Sequence, residues 1–293
     1  MTADVTVGLL HPGEMGSEVG AAARAGGARV AWVSEGRGRE TRERARAARL
    51  DDAGTLAALV ARSELILSVC PPHAAMDVAR AVAAHRFAGI YVDANAVAPA
   101  TAREIASVVE AGGANFVDGG IVGPPPRRPG TTRLYLAGRA AARVATLFAA
   151  SPLEAIALDA PPGGASALKM AYASWTKGTN ALLLAIRALA LAEGVDQALL
   201  AEWERSQPSL PAQSEAAVGR NASKAWRFVG EMKEIAMTFA GAGLPDGFSR
   251  AAAEIYRRMA RYKDTPAPPS VAEVAEMLVK EPALPDADPG ARP

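Results

Sequence analysis

Short apolar runs recur through the first half of the chain and stop in the second. Val5–Leu10, Ala28–Val33, Leu65–Cys70, Gly89–Asp93, Asn115–Val122, Thr132–Ala137 and Leu153–Leu158 read as strands. Between them lie stretches with helical spacing: the residues after Gly13, the charged run Arg37–Arg49, His73–Ala84, a segment from Thr101, and Ala140–Ala150. Strands alternating with helices predict β-α-β units with right-handed crossovers, hence an α/β domain on a parallel sheet. Pro161-Pro162-Gly163-Gly164 then breaks the pattern, because none of these residues continues an element. Beyond it the pattern is helical only. Ala165–Glu193 forms one long helix ended by Gly194, and later helices run over Ser223–Ala240, Phe248–Tyr262 and Val271–Lys280. The chain therefore divides into an α/β domain over residues 1–162, an all-helical domain over 163–280, and a proline-rich tail over 281–293 expected to be disordered.

The first strand carries the chemistry. It stops at Leu10-His11-Pro12-Gly13-Glu14-Met15-Gly16 and passes at once into a small-residue helix, the layout of a phosphate cradle. Gly13 lets the backbone approach a pyrophosphate, Gly16 lets the helix press on the sheet, and the first-turn amides face the negative charge. His11 stands where the usual G-x-G-x-x-G spacing has its first glycine, so the motif alone is weak. The residues after the second strand choose the coenzyme. Selection of NAD places an acid on the ribose roughly 20 residues past the glycines; here Ser34 leaves room for a 2′-phosphate and Arg37, with Arg39 second, supplies a charge-assisted contact. NADP is favoured over NAD, with Glu35 the argument against. Cys70, Pro71 and Pro72, at the carboxyl end of a parallel strand, border the same crevice. Asn95 either bonds a ligand or makes an Asx turn.

Composition narrows the partners. Of 293 residues half are hydrophobic, and 32 Lys and Arg against 31 Asp and Glu leave a net charge of +1, which gives no general attraction for nucleic acid or a membrane. A small molecule fits better. One cysteine excludes an intrachain disulfide, and three scattered histidines argue against a metal site. With no leader pattern or spanning segment, a reducing cytoplasm is the expected location.

On the long helix, at ~100° per residue, Lys169, Tyr172, Thr176 and Asn180 fall on one side, with Ser166 near the edge and Lys177 at the margin. Facing a dry core, Lys169 would carry an uncompensated charge. A wet cleft between the domains accommodates it, as a proton donor or acceptor for a substrate, with partial burial lowering its pKa.

With these residues in place the chain resembles the β-hydroxyacid dehydrogenase and 6-phosphogluconate dehydrogenase superfamily. The resemblance rests on Gly8-Leu-Leu-His-Pro-Gly13-Glu-Met-Gly16, Ser68-Val-Cys-Pro-Pro72, Asp93-Ala-Asn95-Ala, Val117-Asp118-Gly-Gly-Ile-Val-Gly123 and Lys169. It implies a Rossmann-like dinucleotide-binding domain followed by a 6-phosphogluconate dehydrogenase-like helical domain, NAD(P)-dependent hydride transfer with Lys169 as general acid/base, and a homodimer formed through the helical domain. The family's Ser-Gly-Gly substrate segment corresponds to Val122-Gly123-Pro124, and the Asn expected one turn after the lysine is Ala173, beside Tyr172. Imine reductases share the architecture, so reduction of a C=N bond with Tyr172 or a water as donor is the alternative. A protein that binds NADPH without turnover is a third. The leading expectation is an NADP-dependent dehydrogenase or reductase acting on a hydroxyl or carbonyl of a small, possibly acidic metabolite, whose substrate end is lined by Asn95, Val122, Gly123, Pro124, Lys169, Tyr172 and Thr176.

Overall fold

The computed structural model describes residues 5–280; the tail expectation for 281–293 lies outside them. In chain order the elements are β1 (Thr6–Leu10), α1 (Glu14–Ala25), β2 (Arg29–Trp32), α2 (Arg39–Ala47), β3 (Asp51–Asp52), α3 (Leu56–Arg62), β4 (Leu65–Ser68), α4 (Ala75–Ala84), β5 (Ile90–Asp93), α5 (Pro99–Ala111), β6 (Asn115–Val122), β7 (Thr132–Ala137), α6 (Ala141–Thr146) and β8 (Leu153–Ala157). Helices α7 (Gly164–Ala173), α8 (Thr179–Ala192), α9 (Asp196–Ser206), α10 (Leu210–Asn221), α11 (Ala225–Gly241), α12 (Gly247–Met259) and α13 (Val271–Lys280) follow. The expected α/β-then-helical order is present.

The eight strands form one sheet in the order β3-β2-β1-β4-β5-β6-β7-β8. Every neighbouring pair is parallel except β6 with β7, which is antiparallel. Side chains alternate between two cores, as a pleated strand buried on both faces requires. Val7, Leu9, Leu65, Leu67 and Val92 pack with Val19 and Ala22 of α1 on one face. Ile66, Tyr91 and Phe116 pack with Leu59, Val82 and Ile105 of α3, α4 and α5 on the other. The chain starts at β1, winds outward to β3, then returns to β4 on the other side of β1. Strand order therefore reverses between β1 and β4, and open α/β sheets bind ligands outside the carboxyl ends at such a point.

Contacts divide the chain into two compact units, one reaching to Tyr172 and including Met237–Gly243, the other containing Ala173–Ala236 and the residues from Leu244 on. The proline–glycine segment at 161–164 does not separate them: α7, which follows it, belongs with the sheet. The cause is Asp118 of β6, whose carboxylate accepts from the amides of Gly163 (2.9 Å) and Ser166 (3.0 Å) and from the Ser166 hydroxyl (2.6 Å). That carboxylate caps the start of α7 and ties it to β6.

In the second unit α8 packs on α10, α12 and α13. Arg187, 4 % exposed, holds Asp196 through two bonds (2.6 and 3.0 Å) and reaches Ser214 (2.9 Å) and Glu215 (3.2 Å), so one guanidinium staples α8, α9 and α10. Helices α9 and α10 fall where the periodicity predicted none, as did α3 and the two-residue β3. The long helix is also not uniform: Ser174–Gly178 forms a π turn between α7 and α8.

Candidate active site

The turn after β1 is tightly constrained. His11 has φ +65°, a left-handed conformation that usually calls for glycine and costs an L residue about 1–2 kcal/mol. The missing glycine is thus replaced in conformation: the histidine itself makes the turn. Pro12 is buried and fixes the next step, and the Gly13 amide donates to the His11 carbonyl at 2.7 Å. Gly16 is required by the protein itself, since a Cβ there would lie 2.3 Å from the His11 carbonyl oxygen. At Gly13 a Cβ would meet no protein atom within 4 Å. Gly13 is also the N-cap of α1 and no side chain caps that helix. Its bare position faces open space where a ligand phosphate would approach helix amides. Leu10 ends β1 buried, its carbonyl accepting from Val69, while Glu14 lies exposed in the first turn of α1 and Met15 packs half-buried on the core.

The turn after β2, the parallel neighbour of β1, lies on the same edge of the sheet. Arg42 of α2 donates to the carbonyls of Ser34 (2.8 Å) and Arg37 (3.1 Å), and the Arg37 amide donates to Ser34 (3.2 Å). These bonds fix residues 34–37. Ser34 is buried, Arg39 is exposed and pairs with Glu43 on α2. The Arg37 guanidinium reaches inward far enough to act on both His11 and Cys70. Burial, reinforced by Arg37, lowers the His11 pKa to about 4, so the imidazole is neutral at pH 7. Its Nδ1 and the Arg37 Nε are both buried with no hydrogen-bond partner.

Beyond β4 and β5 the structure corrects one expectation. Asn95 does not point a free carboxamide at a ligand. Its Oδ1 accepts from the Cys70 amide (2.5 Å), its Nδ2 donates to the Ser68 hydroxyl (3.1 Å) and to Asp93 (2.8 Å), and its amide donates to Asp93 (3.1 Å). Asn95 clasps the two strand ends together and presents the Cys70–Pro72 turn to the crevice. Burial pushes the Cys70 thiol up to about 12, so it is an inert packed thiol. Asp93 is buried without a cation, and burial holds its pKa up at about 7, with Asp118 adding to the rise against the Asn95 bonds.

Lys169 is set by β6. A Cβ on Gly120 would lie 2.6 Å from the Ala165 carbonyl and 3.1 Å from the Lys169 Cβ, so bare backbone is what lets α7 sit this close. Strand register places Leu10, Ser68, Asp93 and Asp118 at one level, and Gly120 two residues nearer the carboxyl edge. The lysine-bearing turn and the glycine cradle thus share one edge of the sheet, three strand spacings or about 14 Å apart. Asp118, Gly120 and the Asp93–Asn95 clasp are residues to which sequence reasoning gave no such role. A lone acid inside an apolar strand, followed by Gly-Gly, was the available signal.

Two further expectations change. The π turn takes more residues per revolution than an α-helix, so the ~100° spacing that aligned Thr176 and Asn180 with Lys169 does not carry past Ala173. Lys177 instead pairs with Glu231 at 2.9 Å and lies over the Phe228 ring. Thr176 bonds the Ala173 carbonyl (3.4 Å), and Tyr172 is 47 % exposed. In the Val122-Gly123-Pro124 segment, Val122 is buried, Gly123 adopts φ +120° hard against Thr131, and the Pro124 carbonyl accepts from the Thr132 hydroxyl (2.5 Å). These three hold the β6–β7 loop. Its Arg127 pairs with Glu18 of α1 at 2.8 Å. Among the described residues no group could hold a metal ion and no helix is long and apolar enough to cross a membrane.

Comparison with known proteins bears on the fold and the family. An uncharacterized protein of Methanothermus fervidus, encoded in a 7S RNA 5′ region, is 31 % identical over 150 residues, 51 % of this chain and 57 % of that one. The chain thus aligns with little more than half the length of that relative. A conserved protein of unknown function, described as structurally similar to 3-hydroxyacid dehydrogenases, has 27 % identity and a TM-score of 0.67 over 87 % of this chain and 99 % of its own. The Mycobacterium tuberculosis 3-hydroxyisobutyrate dehydrogenase shares the fold at 17 % identity, with a TM-score of 0.67 over 94 % and 99 %. Residues 6–150 match the NAD binding domain of 6-phosphogluconate dehydrogenase and residues 190–259 match a domain of unknown function, DUF1932. The chain therefore belongs to the 6-phosphogluconate dehydrogenase-type NAD-binding family, with that domain joined to a DUF1932 domain.

Proposed function

We propose that this protein is an NADP-dependent oxidoreductase acting on a hydroxyl or carbonyl of a small metabolite, acidic or neutral, with Lys169 as general acid/base. The observation that carries the reading is the pairing of two features on one sheet edge. Gly13 opens onto space beside an uncapped helix terminus, and Lys169 is seated against the bare backbone of Gly120. Gly13 and the first turn of α1 hold the pyrophosphate, Ser34 and Arg37 the adenosine ribose and its 2′-phosphate, and the Cys70–Pro72 turn borders the coenzyme. When bound, the nicotinamide supplies hydride exchange at the substrate carbon. Lys169 gives its Nζ proton to the substrate oxygen in reduction, or takes the hydroxyl proton in oxidation. Asp118 holds α7 so that this ammonium stays at the strand ends. The working form is a homodimer built through the helical domain, residues 163–280.

Calorimetric titration with NADPH and NADH, together with turnover of Lys169→Ala on a panel of hydroxyacids and ketoacids, tests the reading. Lys169→Ala is expected to bind NADPH as wild type does and to lose a factor of about 10² or more in turnover. Full turnover in that variant removes Lys169 from the mechanism. A second reading, reduction of a C=N bond, is favoured by the half-exposed Tyr172 three residues from Lys169; cyclic imines turned over by Lys169→Ala and not by Tyr172→Phe would select it.

A further inference from the structure

We propose that His11 and Arg37 form a single receptor for a phosphate monoester, the 2′-phosphate of NADP(H), and that this is why a histidine stands at a backbone position suited to glycine. The inference rests on the coenzyme reading above and adds the residue that nothing else in the fold explains. His11 is strained at φ +65°, and its side chain returns nothing to the protein through Nδ1, which is buried without a partner. A buried polar atom left unpaired has lost its water without a replacement partner, which destabilises the fold. The Arg37 Nε is a second such atom, and the Arg37 charge acts directly on the imidazole. Two buried nitrogens, from turns that follow neighbouring parallel strands and both unmatched, call for an acceptor with several oxygens. The turn that carries Arg37 is already fixed by Arg42, so its backbone need not be ordered by a ligand.

The electrostatics suit that ligand. Beside a guanidinium the imidazole stays neutral and offers one N–H, in the tautomer with its proton on Nδ1, without cation–cation repulsion. Arg37 supplies the full charge and a fork of donors. The Arg37 charge also acts on the Cys70 thiol, which burial keeps protonated, and the buried Asp93 acts on Cys70 in the opposite sense. Ser34, buried and small, leaves the ribose position open.

The test uses four probes, NADPH, NADH, adenosine 2′,5′-bisphosphate and 5′-AMP, titrated calorimetrically into wild type, His11→Gly, His11→Asn and Arg37→Gln. His11→Gly places the permissive residue in a left-handed turn, so its melting temperature should equal or exceed wild type, and a binding change cannot be put down to misfolding. The expected result is a loss of about tenfold or more for NADPH and adenosine 2′,5′-bisphosphate with NADH and 5′-AMP unchanged. His11→Asn, which tolerates this conformation and keeps a donor, should recover part of the loss. Equal weakening of NADPH and NADH by His11→Gly would mean that the histidine only shapes the turn, and no change with any probe would remove it from the site; either overturns the proposal. If wild type binds neither dinucleotide, the oxidoreductase reading fails by itself. A His11-dependent affinity for the bisphosphate would still support the receptor, and its absence would overturn it.

Discussion

At the scale of single residues, the cradle glycines serve two different ends. Gly16 is bare because the protein needs the space, the His11 carbonyl lying 2.3 Å from where a Cβ would be. Gly13 is bare although no protein atom comes within 4 Å, and its φ of −71° is open to any residue. Gly16→Ala should therefore cost about 1–3 kcal/mol in urea unfolding. Gly13→Ala should leave stability within ~0.5 kcal/mol of wild type while weakening NADPH by about tenfold or more, roughly 1.4 kcal/mol. An unfolding curve for Gly13→Ala as shifted as that of Gly16→Ala would show that the first space is structural. The spacing Gly13-Glu-Met-Gly16 was legible in the sequence because glycine leaves a mark there. What the sequence could not show is the conformation of His11, since no residue type announces a left-handed histidine. Asn95 was left open between a ligand contact and an Asx turn for a similar reason: a carboxamide at a strand tip does not show its partners until Ser68 and Cys70 are brought from 25 or more residues away.

Among elements, the strand tips form one polar layer under the site, and its acids should be visible in stability. Protonated Asp93 is favoured in the fold, its pKa standing at about 7 against about 4 for an unfolded chain. Its stabilising contribution is complete below pH 4 and is lost as pH rises through 7. His11 acts in the opposite sense: with its pKa lowered to about 4, its contribution is complete above 6.5 and is lost as pH falls toward 4. The two slopes oppose, so the wild-type curve alone is uninformative. The difference between wild type and Asp93→Asn isolates the acid, and it should shrink steadily from pH 5 to pH 8; a flat difference would show that Asp93 is already ionised at pH 5. Asp118 is the other member of the layer. Asp118→Ala removes three bonds to the start of α7 and should cost about 2–4 kcal/mol, with amide exchange accelerated first over Gly164–Ala173. Every strand except β3, together with α1, α4 and α13, was readable from apolar spacing, because burial on known faces writes a period into the sequence. The segments α9 and α10 were not. They are organised by the polar Arg187 staple to Asp196, Ser214 and Glu215, which leaves no hydrophobic period, and the π turn at Ser174–Gly178 leaves none either.

At the scale of the whole molecule, apolar exposure is unevenly divided. Among the described residues, the large hydrophobic side chains left exposed are all at Tyr172 or later: among them Trp175, Leu182, Leu189, Trp226 and Phe248, at 71, 54, 63, 46 and 83 %. The sheet's own residues bury theirs among the described positions. Leu182 and Leu189 lie two turns apart on α8, on one face of a helix whose other side packs on α10, α12 and α13. An apolar ridge of this kind on a water-facing helix marks an interface, and the homodimer proposed for this chain supplies the partner. The double variant Leu182→Glu/Leu189→Glu places charges on that ridge without touching the cradle, β6 or α7. Sedimentation at micromolar concentration should give twice the chain mass for wild type and the single chain mass for the variant. NADPH affinity should persist in the monomer, because every group assigned to the coenzyme lies in the first unit, between Leu10 and Asn95. A variant that stays dimeric would move the interface to another face of the helical unit; a wild type that sediments as a monomer would end the dimer proposal.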